Sequence, residues 1–266
     1  MRLLIDETFA TAAFTAPIFA RWMAPLAGWT IEIVPRLTAD AIAAEDVALA
    51  TSAEALWRHD THRVLPHLAV AADGVGAIAM RTPVRPDEIE SSPVLLREAS
   101  RTAELLARAT LHPFYGIGPT GWTRNGDDAE SAAEVVIVEG AEALRDVEAG
   151  FSEDLVRAWF IMTANPVVTH LLLAPKAMAA DDLVNLTAWL TELRDIGMRR
   201  RGEWIPDLAN REDVPPAKAS AFWAAQRFSL TPADREALRA LWREGIRGTS
   251  GPNPASVEFP IETTGS

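Results

Sequence analysis

Strand-like and helix-like segments alternate along most of this chain, and that alternation limits the fold more than any other feature. RLLID (2–6) has the pattern of a strand and WTIEIVP (29–35) that of a second one. Between them, residues 14–26 form a predicted helix with Pro17 near its start. VALAT (47–51) is a continuous apolar run, typical of a parallel strand buried on both faces. Such alternation predicts an α/β fold rather than segregated strands and helices.

Prolines at 83–93 punctuate the chain and mark the predicted crossing into a second lobe. Residues 64–82 before them are a predicted strand, turn and strand, with an Asp-Gly pair as the turn signal. After them, residues 134–140 are a predicted strand, and residues 165–175 a strand that could return the chain to the first lobe. We therefore expect lobe one to comprise residues 1–90 and 175–266, and lobe two residues 91–174.

Residues 181–247 have the pattern of helices alone, so we expect a helical C-terminal segment packed on lobe one. The segment 116–131 is polar and glycine-rich and is predicted to be a loop. Residues 248–266 are predicted to be frayed.

Three serines precede predicted helices. Ser52, Ser100 and Ser152 each stand where a side chain can cap the first turn, a role that contributes about 1 kcal/mol of stability. A helix N-terminus also offers unpaired N–H groups and a positive dipole potential, so Ser52 and the start of the helix at Ser100, Arg101 and Thr102 can seat a carboxylate. Both interpretations remain open from the sequence.

The charge balance excludes whole classes of partner. The chain of 266 residues has 25 Lys plus Arg against 37 Asp plus Glu, a formal net charge of -12. A nucleic-acid or anionic-membrane surface needs a basic footprint, so neither is expected as a partner. Any small anionic ligand must instead be met by a local cluster of donors. The size of the chain is compatible with two linked lobes.

Targeting and metal signals are weak. Asp6 and Glu7 interrupt the apolar start of the chain, which argues against a signal peptide, and no apolar run reaches the roughly 18 residues of a membrane span. We therefore expect a soluble, cytoplasmic protein. There is no cysteine, and the histidines of segment 59–67 lack an acidic ligand pattern, so no metal site and no cofactor are predicted.

Nine tryptophans are present, four of them in the helical tail at Trp189, Trp204, Trp223 and Trp242. Tryptophan buries a large area wherever it is enclosed, so these side chains are expected to pack inside the tail. Their clustering could equally serve helix docking or a homodimer interface.

Six segments, in order, carry a family resemblance. They are VALATSAEALWRHD, VLPHLAVAADGVGAIAM, ASRTAELLARATLHPFYGI, VVIVEGAEALR, AWFIMTANPVV and FWAAQRFSLTPADREALRALW. Together they resemble the menaquinone-biosynthesis family that contains chorismate dehydratase. The resemblance implies a two-lobed fold of the type II periplasmic-binding-protein kind, with a small carboxylate ligand between the lobes. It implies ligand contacts at Thr11, Thr51, Ser52, Ser100, Arg101, Thr102, Gly140 and Thr163.

The chain departs from that family at the position tied to catalysis. Relatives carry an asparagine in a Tyr-Leu-Asn-Thr-Ala-Pro pattern, and the ungapped match here places Ala10 at that point. A register shifted onto Thr15-Ala16-Pro17 places Phe14 there, so the asparagine is missing in either register. Alanine can neither donate a hydrogen bond nor transfer a proton. Glu139 follows the strand where relatives show an Ile-Gly-Asp-like run, and it is the candidate catalytic carboxylate. Glu7 is a second candidate by position, and a solvated strand end is the alternative for both.

Three functions remain open. A lyase that dehydrates chorismate on the futalosine route to menaquinone follows from the whole-chain resemblance. A binding or sensing protein that kept the cleft without the chemistry is favoured by Ala10. A related enzyme acting on a different carboxylate is the third.

Overall fold

Two β-sheets organise the chain in the computed structural model, which describes residues 1–124 and 134–259. The strands, in chain order, are β1 (Arg2–Asp6), β2 (Thr30–Val34), β3 (Val47–Thr51), β4 (His62–Ala72), β5 (Ile78–Thr82), β6 (Ser91–Leu96), β7 (Gly118–Arg124), β8 (Val135–Glu139), β9 (Phe151–Asp154), β10 (Val167–Pro175) and β11 (Gln226–Arg227). The helices are α1 (Ala12–Phe19), α2 (Glu54–Trp57), α3 (Arg101–Tyr115), α4 (Ala141–Leu144), α5 (Leu155–Thr163), α6 (Ala180–Arg199), α7 (Arg201–Arg211), α8 (Pro216–Ala225) and α9 (Pro232–Gly245). Strands and helices alternate as predicted, which confirms the α/β class.

The first sheet has six strands in the order β11-β4-β10-β3-β1-β2. β1 is parallel to β2 and β3, whereas β10 is antiparallel to β3 and β4. Val47 and Leu49 of β3 pack in one hydrophobic cluster, while Ala48 and Ala50 pack in another on the opposite face. Because both faces are covered, the strand is apolar throughout, as its sequence predicts. We call the body built on this sheet lobe one.

The second sheet has five strands in the order β7-β6-β8-β5-β9. β6 is parallel to β7 and β8, and β5 is antiparallel to β8 and β9. α3 and α5 pack together and contribute Leu106 and Trp159 to the core of this sheet. We call the body built on this sheet lobe two.

The chain crosses between the sheets at residues 73–77, earlier than its prolines indicate. β4 belongs to the first sheet and β5 to the second, although an Asp-Gly turn separates them. The predicted division kept residues 78–82 in lobe one and residues 167–174 in lobe two, whereas strand pairing places them on the other sheets. A turn signal shows only that the chain changes direction, because the partners of each strand come from distant segments.

The C-terminal helices pack mainly on lobe one, and one of them, α9, also contacts lobe two. α6 lies against α1 and β4, and α9 lies against both β10 and α3, so it also contacts lobe two. All four tail tryptophans are buried within the chain, which makes them packing residues; the homodimer stays a prediction. Val257 is buried and Val64 N donates to Glu258 O, so residues 254–259 pack on β4 rather than fray.

Several local predictions differ at their boundaries. Helix α1 begins at Ala12 rather than at residue 14. The predicted loop 116–131 begins with strand β7, and its residues 125–131 lie outside the described part of the chain. Asp154, not Ser152, caps α5, because its carboxylate accepts from Val156 N and Arg157 N. Among the helices of residues 1–124 and 134–259, none combines the length and apolarity that crossing a membrane requires.

Candidate functional site

A cleft of about 860 Å³ separates the two sheets and is lined by residues of both lobes. Lobe one contributes the turn after β1, part of α1, the loop after β2 and the end of β3. Lobe two contributes the residues before α3 and those around α4, and α7 closes one side. Small-molecule sites have volumes of about 300–1,000 Å³, so the cleft is large enough for a compact metabolite.

The walls of the cleft combine apolar side chains with arginines. Phe9, Phe19, Trp204 and Leu208 provide apolar surface. Five arginines line the same cleft: Arg36, Arg101, Arg124, Arg145 and Arg211. The side chains of Arg36, Arg124 and Arg211 are about half exposed or more, so we describe these three as the rim arginines. The three rim arginines form ion pairs with Glu98, Glu104 and Glu212, respectively. Apolar surface together with arginines that can exchange these partners suits a ligand that has a ring and carboxylates.

Three carboxyl side chains of the cleft lining, those of Asp6, Glu54 and Glu139, form what we call the floor of the cleft. Asp6 and Glu54 are 1% exposed, and Glu139 at the end of β8 is half-buried. The Asp6 carboxylate accepts from Leu37 N at 2.8 Å. Burial raises the pKa of the Glu54 carboxyl, against the opposing effects of Arg101 Nη1 at 2.8 Å and of Ala39 N at 2.6 Å. These acids are therefore held in place by protein donors.

Glu139 caps the N-terminus of α3 from a neighbouring strand. Its carboxylate accepts from Ser100 N at 2.7 Å. The surrounding protein raises the pKa of the Glu139 carboxyl above its usual range, because desolvation outweighs the hydrogen bonds from Ser100. A carboxyl with a raised pKa is a stronger base than an ordinary glutamate. Its place on the cleft makes it the candidate general base.

A buried histidine, His170, lies next to Asp6 and Thr8, and the sequence analysis did not identify it. His170 of β10 is 1% exposed, its Nε2 lies 3.2 Å from Thr8 Oγ1, and 3.6 Å separates Nε2 from an oxygen of Asp6. Thr8 itself lines the cleft. The only sign of it in the sequence is a histidine in a mostly apolar strand, and the neighbouring residues do not indicate which groups face it.

Six of the predicted site residues line the cleft: Glu7, Thr51, Ser100, Arg101, Glu139 and Gly140. Ser100 Oγ accepts from Ala103 N, so it caps α3 as predicted while also facing the cleft. Thr51 Oγ1 is buried, and within residues 1–124 and 134–259 it meets no hydrogen-bond partner. A buried hydroxyl without a partner is costly, and a ligand atom in the cleft can satisfy it.

Gly140 occupies a backbone conformation that favours glycine. Its φ is 69°, and its N–H donates to Ala77 O at 2.8 Å. The residue is the N-cap of α4 and directly follows Glu139. A side chain here would strain the turn that aims the Glu139 carboxylate at Ser100.

The other four predicted residues do not line the large cleft. Thr11 Oγ1 donates to Asp6 O and fixes the turn after β1. Ser52 does not cap α2, whose N-cap is Ala53; the Ser52 hydroxyl instead lies 3.3 Å from that of Thr102. Thr102 Oγ1 accepts from Ala53 N at 2.8 Å and joins the lobes. Thr163 Oγ1 donates to Trp159 O at the end of α5.

Ala10 leaves an apolar surface where a relative of the resembled family has asparagine. It is 8% exposed and lines a small chamber next to the cleft, together with Thr8 and His170. Throughout the described part of the chain, no group of three His, Cys, Asp or Glu side chains is placed to hold a metal ion.

A family model described as menaquinone biosynthesis matches residues 15–245. Among curated proteins, none matches the chain. Protein AF1704 from Archaeoglobus fulgidus is similar in structure, with a TM-score of 0.69 at 13% identity, covering 92% of this chain and 96% of that one.

Two sulfonate-binding proteins share the architecture. The periplasmic aliphatic sulphonate binding protein of Escherichia coli has a TM-score of 0.62 at 12% identity, over 100% of this chain and 94% of its own. The alkanesulfonate-binding protein of Xanthomonas axonopodis pv. citri, bound to MOPS, has a TM-score of 0.60 at 11% identity, with 97% of both chains covered. At such identities the likeness shows the fold, which is the predicted periplasmic-binding-protein type.

Proposed function

The chain belongs to the menaquinone biosynthesis family, and from this premise we propose that it is a lyase of the chorismate dehydratase kind, acting on the futalosine route. The observation that carries the proposal is the cleft between the sheets, which combines rim arginines with a floor carboxyl of raised pKa. Dehydration of an anionic enol-pyruvyl ether needs donors for two carboxylates and a base near an acidic C–H.

The parts of the cleft have distinct proposed roles. The arginines at the rim pair with the carboxylates of the substrate, and Thr51 offers its hydroxyl group to the substrate. Phe9, Trp204 and the other apolar residues cover the ring. Glu139 takes the proton from carbon. No cofactor has a part in this scheme.

A binding protein without catalysis is the second candidate, because Ala10 removes the asparagine expected at the end of the first strand. Two structural neighbours are named for sulfonate binding, so the architecture also serves proteins that bind small anions. On this alternative the same arginines hold a small carboxylate and Glu139 has only its structural role at Ser100.

Incubation of the purified protein with chorismate separates the candidates. Loss of chorismate absorbance supports the lyase, and Glu139→Gln should then lower kcat by about 100-fold, the scale of general acid–base catalysis. Glu148→Gln, at an exposed position of the same lobe, is the matched control and should keep full activity. A thermal shift by chorismate without turnover supports the binding protein. If chorismate caused no turnover and no thermal shift, it would be rejected as the ligand.

A further inference from the structure

Ala10 has no polar side chain, but polar side chains of other residues surround the small chamber that it lines. It has a volume of about 20 Å³, which suits a single water molecule. Thr8, Glu139 and Gly140 line both the chamber and the cleft, so they form the boundary between the two. On the far side the polar residues are Thr169, His170 and Gln226.

The hydrogen-bond chain around His170 assigns its protons. Thr169 Oγ1 donates to Val70 O at 3.2 Å, so it accepts from Nδ1–H of His170 at 3.1 Å. Nε2 then faces the hydroxyl of Thr8 at 3.2 Å. Because Nδ1 is committed, proton exchange at His170 occurs through Nε2.

Two acidic side chains lie near Nε2. A carboxylate oxygen of Asp6 in β1 is 3.6 Å away, and Glu139 of β8 acts on His170 by charge from across the chamber. Val70 and Ala72 of the neighbouring β4 are apolar, and the adjacent residue on β3 is the uncharged Thr51. Glu54 lies further out and is paired with Arg101.

We propose that Thr8 is the catalytic proton donor of the cleft, with His170 the positioning residue that resupplies its proton. This inference rests on the proposed lyase function. Thr8 lines the cleft and can contact the leaving hydroxyl of the substrate, whereas His170 lines the chamber and not the cleft. Together they supply the proton transfer that Ala10 cannot.

The reaction balances as a closed cycle. Glu139 takes the proton from the substrate carbon, and the C–H electron pair forms the new C=C bond. The adjacent C–O bond breaks with its electron pair on oxygen, which takes the Thr8 hydroxyl proton and leaves as water. The Thr8 oxygen regains a proton from Nε2 of the imidazolium. The proton on Glu139 then returns to His170 across the chamber, which restores both groups.

Substitutions at position 8 test the donor. Thr8→Val is nearly isosteric and removes the hydroxyl, so kcat should fall by about 100-fold or more while KM changes by less than about threefold. Thr8→Ser keeps the hydroxyl and should stay within about tenfold of wild-type kcat. Equal kcat for Thr8→Val and wild type would overturn the proposal.

Substitution of His170 tests the resupply of the proton through the pH profile. If His170 resupplies the proton, the wild-type pH profile should have an alkaline limb that depends on this side chain, and His170→Gln should lower kcat and abolish that limb. His62→Gln is the matched control. His62 of β4 is buried, as His170 is, but its Nε2 faces Asp46 O and it does not line the cleft. A His170→Gln variant with wild-type kcat and an unchanged alkaline limb would contradict the relay.

Nitrogen-15 NMR of the histidine side chains distinguishes failure of the relay from failure of the lyase. Thr8→Val should shift the His170 Nε2 resonance and leave Nδ1 protonated, whether or not chorismate is the substrate. An inactive wild type with this shift rejects only the lyase. An unmoved Nε2 resonance rejects the contact between Thr8 and His170 on which the relay depends.

Discussion

At the scale of the residue, the half-buried carboxyl of Asp154 makes hydrogen bonds to two separate segments of the chain. It caps α5 through Val156 N and Arg157 N, and its other oxygen accepts from Gly76 N at 2.9 Å, in the segment that crosses between the sheets. Burial raises its pKa to about 6, because desolvation outweighs these three hydrogen bonds. The protonated form is therefore favoured in the folded state relative to the unfolded state.

We predict that Asp154→Asn flattens the pH dependence of stability. A raised pKa contributes stability that is complete below the unfolded value of 3.8 and lost as pH rises through about 6. A shift of this size corresponds to roughly 3 kcal/mol, and asparagine cannot ionise, so the variant should lack this loss. Urea unfolding at pH 4 and pH 7 measures the difference.

Asp207→Asn is the control for this prediction, since Asp207 is exposed on α7. Its pH dependence should match that of the wild type. If Asp154→Asn kept the wild-type slope between pH 4 and pH 7, burial of the carboxyl would not be coupled to folding.

At the scale of elements, α9 and α3 approach so closely that their contact requires a glycine. A Cβ atom at Gly245, the last residue of α9, would lie 2.7 Å from both Leu105 O and Leu105 Cβ. Leu241 and Trp242 on the same helix are buried in the clusters of lobe two and lobe one, respectively. Helix α9 thus packs against both lobes at this point.

Gly245→Ala should lower the free energy of unfolding by about 1–3 kcal/mol, because overpacking forces two backbones apart. Gly202→Ala in α7 is the control, since a Cβ there meets no atom within 4 Å. That change should be neutral or stabilise by up to about 1 kcal/mol through helix propensity. Urea unfolding checks both, and a Gly245→Ala variant as stable as the wild type would rule out the close contact.

At the scale of the molecule, side chains at the start of α3 join the lobes. Arg101 of lobe two pairs with Glu54 of lobe one at 2.8 Å, and Thr102 Oγ1 accepts from Ala53 N. The Glu54 side chain is 2% exposed and that of Arg101 28% exposed, so one partner of the pair is buried. Removing the arginine would leave a buried carboxylate without its cation.

We expect Arg101→Met to cost about 3 kcal/mol of stability in the wild-type background but only about 1 kcal/mol with Glu54→Gln. Glutamine can still accept from Ala39 N, so the double variant keeps that hydrogen bond. A double-mutant cycle by urea unfolding measures the coupling energy. A coupling within about 0.5 kcal/mol of zero would show that the pair does not hold the lobes together.

The sequence by itself determined the order of strands and helices and several of their ends. The strand VALAT and the cap Ser100 were correct, and the strand predicted at 134–140 is observed at Val135–Glu139, because periodicity and caps depend on residues within about four positions. The family resemblance added the two-lobed cleft. Half of the predicted contact residues line it, and Ser100 does so while also serving as a cap.

Only the tertiary structure decided which sheet each strand joins and which side chains meet on the floor. β5 follows β4 by a short turn but pairs with β8 and β9, more than 50 residues later. His170 meets Thr8 across 162 positions, and Glu139 meets Ser100 across 39. Such pairings are set by the packing of whole elements, so no local pattern encodes them. The chemistry proposed for the cleft depends on these long-range contacts.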